Sequence, residues 1–135
     1  MAQLQFEIIT PNGALIRQEV DYVSATGVEG ELGILPGHAS LLAALRIGPL
    51  HFRVGETTHY SFIGSGFLEV LENRVTVLAD VAEMAKDIDV ERAGKARERA
   101  EHRLVRPDAG ERVDEARAQA ALSRATVRMR VASME

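Results

Sequence analysis

The chain has 135 residues, of which 46% are hydrophobic and 27% are charged, proportions typical of a folded domain that exclude a disordered or fibrous chain. It contains no cysteine, which excludes disulfides, thiolate metal sites and cysteine nucleophiles, and its net charge of −4 argues against nucleic acid as the main partner. The longest purely apolar run, residues 41–45, is far shorter than the roughly 20 residues that span a bilayer, and the start lacks the features of a secretory signal, so we expect a cytoplasm-like compartment.

Two segments of different composition meet near residue 85. Residues 1–85 contain nine of the eleven glycines and all six aromatic residues, together with four arginines and ten acidic residues. Residues 86–135 contain ten alanines, together with twelve basic and ten acidic residues. We therefore predict a strand-rich domain over 1–85 and a helical domain over 86–135.

The first segment alternates apolar and polar residues with the period of half-buried strands, for example over residues 4–8 and 50–54. Glycine-containing breaks such as residues 64–66 separate the strands, and Glu72 with Asn73 predicts a tight hairpin between two of them. Turn signals recur every 8–12 residues or so, which favours an antiparallel β-sandwich or barrel over a βαβ fold.

The second segment predicts an antiparallel αα-hairpin. Asp87 and Asp89 place acid at the start of the first helix, residues 107–110 break it, and Asp108 with Glu111 resembles the capping box of a second helix. Alanine stripes flanked by arginines repeat at an offset of 25 residues: Ala93, Ala96 and Ala100 beside Arg92, Arg99 and Arg103, then Ala118, Ala121 and Ala125 beside Arg117, Arg124 and Arg128. Because alanine buries little area, we predict a weakly held hairpin that moves.

The loop over residues 27–38 contains four glycines but no following Lys-Ser/Thr pair, so we interpret it as tight turns and not as a phosphate-binding loop. Leu41, Leu42 and Leu45 follow, and they are either core residues or an apolar patch for another subunit. His38, His51, His59 and Asp80 match no metal-ligand spacing, and Ser40 beside His38 matches no nucleophile motif. We therefore predict neither a catalytic nor a metal site.

Residues 27–45, GVEGELGILPGHASLLAAL, resemble the epsilon subunit of bacterial and chloroplast F-type ATP synthases. The resemblance extends over residues 8–11, 64–70 and 75–80 and through the helical segment. It implies an α+β fold, with an N-terminal antiparallel β-sandwich followed by a C-terminal antiparallel αα-hairpin. It also implies a non-catalytic rotor subunit in the central stalk, peripheral to the cytoplasmic face of the bacterial plasma membrane.

The resemblance implies three partners: the gamma subunit, the ring of c subunits and the alpha/beta hexamer. Glu31, His38, Leu41 and Leu42 would lie at or near the contact with gamma and the c-ring. The hairpin would either fold down on the sandwich or extend along gamma to the hexamer, where it would block ATP hydrolysis. Weak self-packing and positive charge suit such a movable inhibitory element.

Some members of this family bind ATP on the folded hairpin through an Ile/Leu-Asp-x-x-Arg-Ala motif, which residues 88–93 match. The resemblance therefore implies no required cofactor but names ATP as a regulatory ligand, although members with similar motifs differ in whether they bind it. The implied ATP-binding residues are Glu83, Ile88, Asp89, Arg92 and Ala93 around the base and sugar, and Arg99, Arg124 and Arg128 at the phosphates. The residues alone leave three alternatives open: a solvated, salt-bridged arginine face, a stand-alone ATP-binding sensor and a small hydrolytic enzyme.

Overall fold

The computed structural model describes residues 3–105 and 115–135. The ten strands come first: β1 (Leu4–Thr10), β2 (Gly13–Val20), β3 (Tyr22–Gly27), β4 (Gly30–Ile34), β5 (Leu41–Leu45), β6 (Gly48–Val54), β7 (Thr57–Ile63), β8 (Gly66–Leu71), β9 (Arg74–Ala79) and β10 (Ala82–Met84). A 3-10 turn at Ala85–Asp87 leads into α1 (Val90–Val105), and α2 (Glu115–Ala132) follows. This order confirms the predicted α+β class.

The strands pair in the order β10-β7-β6-β3-β5-β8-β9-β1-β2, and β4 pairs with β3. Among the described residues, β1 runs parallel to β9 and every other ladder is antiparallel. The parallel ladder places β1 between β2, its hairpin partner, and β9, which lies near the end of the domain in sequence. Local alternation does not reveal such a long-range pairing, so the prediction included antiparallel ladders alone.

The sheet folds over on itself around one main hydrophobic core. Phe6 on β1 and Phe52 on β6 lie 5.1 Å apart between ring centroids, although several strands separate β1 from β6 in the sheet order. Leu4, Phe6 and Ile8 are all buried, as their alternation predicts. Full burial of each such side chain contributes about 1.5–3 kcal/mol, so this core accounts for the rigidity of the strand domain.

The predicted hairpin between the last two long strands is confirmed. Glu72 and Asn73 have φ angles of 49° and 60°, and Leu71 pairs with Arg74 on either side of them. Two consecutive residues in the left-handed region form the turn whose twist matches that of antiparallel strands.

Asp89 caps α1, since its Oδ1 accepts a hydrogen bond from the backbone N–H of Arg92 at 3.0 Å. Asp87 instead lies in the 3-10 turn before the helix, so its predicted place in the first helical turn is wrong. The reason is Ile88, which is extended at φ −75° and ψ 125° and separates the turn from the helix. The predicted break at 107–110 and the capping box of Asp108 with Glu111 lie outside the described residues.

The two helices pack against each other along their alanine stripes. Ala93 and Ala100 of α1 and Ala118 and Ala125 of α2 are all buried. Small side chains allow close approach of two helices, as predicted, but each contributes little buried area. No helix within the described residues has the length and apolar character that crossing a bilayer requires.

The hairpin docks on the strand domain through α2. A second hydrophobic cluster, separate from the main core, consists of Phe62, Ala85, Ile88, Val127 and Val131. His59 of β7 also lies 3.3 Å from a carboxylate oxygen of Glu135, between Nδ1 and Oε1. The hairpin is therefore attached by a small interface of its own and is not part of the sandwich core.

Candidate functional site

The loop between β4 and β5 has a fixed position. The backbone N–H of Gly37 donates to Oδ1 of Asn73 at 2.6 Å, which ties the loop to the β8–β9 hairpin. Gly37 has a φ of 84°, in the left-handed region that favours glycine. Glu31 on β4 is exposed and His38 in the loop is half-buried, so both side chains are presented on a rigid part of the surface.

The leucines after this loop separate into core and surface. Leu45 is buried in the main core and Leu41 packs against it. Leu42 points the other way and is 69% exposed. The sequence left open whether these leucines are core residues or an apolar patch. The structure shows both, because Leu45 is a core residue and Leu42 belongs to a surface patch.

An exposed apolar row crosses four strands beside these residues. Phe67 on β8 and Leu78 on β9 are cross-strand partners, and each is 53% exposed. Ala44 of β5 pairs with Phe67, and Ile9 of β1 pairs with Leu78. We call these four residues the apolar row. Ile9 and Ala44 are half-buried, so Phe67 and Leu78 form the exposed part of the row. Exposed large apolar side chains on a rigid sheet are typical of an interface with another protein.

Sequence reasoning missed Phe67 and Leu78. The available signal was a break in alternation, since Phe67 directly precedes buried Leu68 and Leu78 directly follows buried Val77. Two consecutive apolar residues at such a position place one of them on the outer face of the sheet.

The four residues of the apolar row line an open groove, together with the residues at the start of β8. Ser65 has a φ of 130°, unusual for a residue other than glycine, and its Oγ donates to Oδ2 of Asp80 at 2.9 Å. A Cβ on the adjacent Gly66 would lie 1.9 Å from the carbonyl oxygen of Leu78, so glycine is required there. The backbone at this edge of the row is therefore held in one conformation.

The eight predicted ATP-binding residues fall into separate places. Asp89, Arg92 and Arg99 line one open groove along α1, together with Glu91 and Lys95. A groove with three cations suits an anion, and the neighbouring carboxylates limit its net positive charge.

The remaining predicted residues lie elsewhere. Ile88 and Ala93 are buried in packing contacts, and Arg124 is half-buried on α2. Glu83 and Arg128 contact each other, with Nε of the arginine 2.5 Å from Oε1 of the glutamate. The structure thus brings together Asp89, Arg92 and Arg99 in one group, and Glu83 with Arg128 in another.

The Asp21 carboxylate has a lowered pKa. Asp21 accepts a hydrogen bond from the backbone N–H of Gly55 at 2.7 Å and another from the amide of Gln3 at 3.2 Å. These bonds, that of Gly55 first, hold the pKa of Asp21 below its usual 3.8. The contacts join the start of β3 to the β6–β7 turn and have a structural role.

In the part of the chain that the structure describes, no cluster of three or more His, Asp or Glu residues has the arrangement of a metal site.

Comparison with known families accounts for both halves of this architecture. The beta-sandwich domain of the ATP synthase delta/epsilon chain matches residues 3–85, and the long alpha-helix domain of the same chain matches residues 86–133. The chain belongs to the ATP synthase delta/epsilon chain family. This confirms the resemblance drawn from the sequence.

Relatives named ATP synthase epsilon chain match nearly the whole chain. That of Nitratidesulfovibrio vulgaris (strain DP4) is 53% identical over 128 residues, which cover 95% of this chain and 94% of that protein. That of Syntrophobacter fumaroxidans is 46% identical over 130 residues, which cover 96% of each protein. As an epsilon chain, the protein is a non-catalytic accessory subunit of ATP synthase.

A solved structure supports the fold. A chain of the Euglena gracilis mitochondrial ATP synthase, in its OSCP/F1/c-ring structure in rotational state 1, superposes with a TM-score of 0.81 at 23% sequence identity. The match covers 100% of this chain and 83% of the Euglena chain. This epsilon-family member therefore shares the fold of that chain, a strand domain followed by a helical pair.

Proposed function

We propose that this epsilon chain is a rotor subunit of the central stalk of a bacterial F-type ATP synthase, where it couples the gamma subunit to the c-ring. The observation that supports this most directly is the exposed apolar row on a rigid sheet. Phe67 and Leu78 are each 53% exposed, while the core beneath them is complete. A surface of this kind is stable in water when another protein covers it.

Two kinds of surface on the strand domain suit different partners. The apolar row, with Leu42 one row further along the same face, is the surface that gamma covers. The loop with His38 and the exposed Glu31 of β4 present polar groups that meet the c-ring or the adjoining part of gamma. Through these contacts the chain is peripheral to the cytoplasmic face of the membrane.

The hairpin is the regulatory part of the proposal. In the structure it is docked on the sandwich through the small second cluster, and its helices pack through alanine. Elements with few buried apolar contacts open at the lowest free-energy cost. Once released, the hairpin extends along gamma and presents its arginines to acidic groups of the alpha/beta hexamer, which blocks ATP hydrolysis.

ATP is the proposed regulatory ligand of the docked state. Asp89, Arg92 and Arg99 already line one groove, and Arg99 suits a phosphate. A ligand that binds the docked hairpin better than the released one favours docking by mass action. Isothermal titration of the isolated protein with ATP tests this part, and absence of heat at millimolar ATP would remove it.

The test of the rotor function is assembly with gamma. We expect the chain to co-purify with gamma, and Phe67→Glu to abolish this because a carboxylate would be buried against an apolar partner surface. Glu72→Gln, an exposed change in the nearby hairpin turn, is the matched control and should leave co-purification intact. A monomeric chain that binds ATP but never gamma would instead indicate a stand-alone sensor.

A further inference from the structure

Arg128 joins α2 to the strand domain at two points. Its Nε donates to Oε1 of Glu83 at 2.5 Å, and its Cζ lies 4.4 Å from the centroid of the Phe62 ring. On the helix it stands directly after Val127, whose side chain is part of the second cluster. The guanidinium therefore lies at the edge of the apolar contact that docks the hairpin.

The two groups that Arg128 contacts belong together in the sheet. Glu83 of β10 and Phe62 of β7 are cross-strand partners in register. A carboxylate and an aromatic ring side by side offer a guanidinium a charge-assisted hydrogen bond at its edge and a cation–π contact on its face. We call Glu83 and Phe62 the arginine receptor.

Burial makes this contact different from the ion pairs on the outside of the hairpin. The side chains of Arg128 and Glu83 are 26% and 31% exposed, whereas those of Lys95 and Glu91, a pair within α1, are 67% and 82% exposed. Solvent screens a partly buried pair less than an exposed one. The Arg128 contact is also between domains, so its energy contributes to docking and not to the helix alone.

We propose that the arginine receptor holds the hairpin docked when no nucleotide is bound, with Arg128 as the latch. This rests on the proposed function in that the docked and released hairpins are its two regulatory states. It gives Glu83 and Arg128 a role besides the implied contact with ATP, because the two side chains bind each other in the docked protein. The contact with Glu83 uses the Nε–H of Arg128 and none of the α1 groove residues, so the α1 groove and the latch are separate determinants of docking.

The experiment uses the isolated full chain without nucleotide. The chain has no cysteine, so Thr57→Cys on β7 and Gln119→Cys on α2, both exposed, allow two spin labels to be attached and their distance to be measured. We expect one docked distance in the parent chain. Arg128→Gln should raise the population of longer distances roughly fivefold, because it removes both the ion pair with Glu83 and the cation–π contact with Phe62. Glu83→Ala should raise that population less, because the contact of Arg128 with Phe62 remains. The double variant should resemble Arg128→Gln.

Arg130→Gln is the matched control, since Arg130 lies two residues later on the same helix and its side chain is exposed. It should leave the distance distribution in the absence of nucleotide unchanged. An unchanged distribution for Arg128→Gln, an equal shift for Arg130→Gln, or additive effects in the double variant would each overturn the latch.

A circular dichroism melt shows whether each variant is folded. If Arg128→Gln is not, Glu83→Ala decides, and a distribution like that of the parent chain would then overturn the latch, because the carboxylate that binds the guanidinium is gone. The measurement needs neither gamma nor ATP. A failed latch therefore leaves the rotor function standing, and failure to bind gamma leaves the latch result valid.

Discussion

Asp21 shows how a single side chain joins distant parts of the strand domain. Its carboxylate accepts hydrogen bonds from the backbone of Gly55 and from Gln3, which lie on either side of it in the sequence. Its pKa in the folded protein is below 3.8, so the ionised form is favoured by folding. The stabilisation is therefore present above pH 3.8 and is lost as the pH falls through the lower pKa of the folded state.

We predict that Asp21→Asn lowers Tm by a few degrees near pH 7, and that the difference from the parent chain shrinks as the pH falls below 3.8. Thermal melts followed by circular dichroism between pH 2 and pH 7 or so measure this. The control is Glu56→Gln, which removes a carboxylate from the β6–β7 turn that contains Gly55. It leaves the hydrogen bonds of Asp21 with Gly55 and Gln3 intact. A difference between Asp21→Asn and the parent chain that is independent of pH would contradict the argument.

At the scale of secondary-structure elements, the docking of α2 depends on two valines. Val131 is fully buried and Val127 nearly so, against Phe62 and Ile88. We predict that Val131→Ala costs the docked state about 2 kcal/mol through lost burial and the cavity left behind. Hydrogen exchange should then become faster in α2, with protection in β1 and β6 unchanged, because the main core is a separate cluster.

Val90→Ala is the matched control for Val131→Ala, as Val90 is 50% exposed at the start of α1. The same chemical change there removes little buried area and should leave exchange in α2 as in the parent chain. Equal loss of protection in the helices and in β1 would mean that the two clusters open together, and that the hairpin does not move independently.

The elements themselves were largely predictable from the sequence because their signals are local. Alternation from Leu4 to Ile8, the hairpin turn at Glu72, the helix cap at Asp89 and the alanine stripes all lie within a few residues of what they determine. The 3-10 turn that contains Asp87 differs from the prediction because a buried Ile88 interrupts the acidic pair.

The contacts between elements were not predictable in this way. Alternation places Phe62 and Phe67 on faces of the sheet but does not say that α2 covers Phe62 while Phe67 is left exposed. Glu83 and Arg128 are 45 residues apart, and no local pattern around either residue indicates their contact. Where charged groups are concerned, the partner decides the role, and the partner follows from tertiary structure.

At the scale of the whole molecule, one hydrophobic cluster stabilises the strand domain and another attaches the hairpin. The two domains can therefore be separated by experiment. The main core is complete without the helices, and its last partly buried member is Met84. Ala85 and Ile88 belong instead to the second cluster, where they pack against Phe62. A chain that ends at Ile88 therefore retains the whole core and keeps part of the cover on Phe62, while it lacks both helices.

We predict that this shortened chain folds, co-purifies with gamma as the full chain does, and raises the ATP hydrolysis rate of the assembled complex several-fold, since the inhibitory element is gone. Sandwich folding is measured by the thermal melt, assembly by co-purification, and hydrolysis by phosphate release from matched complexes. The full-length Phe67→Glu variant is the opposite control, because it retains the hairpin but loses the surface for gamma. Intact assembly with an unchanged hydrolysis rate would show that the hairpin does not inhibit the enzyme, and loss of assembly would show that gamma binds the helices and not the apolar row.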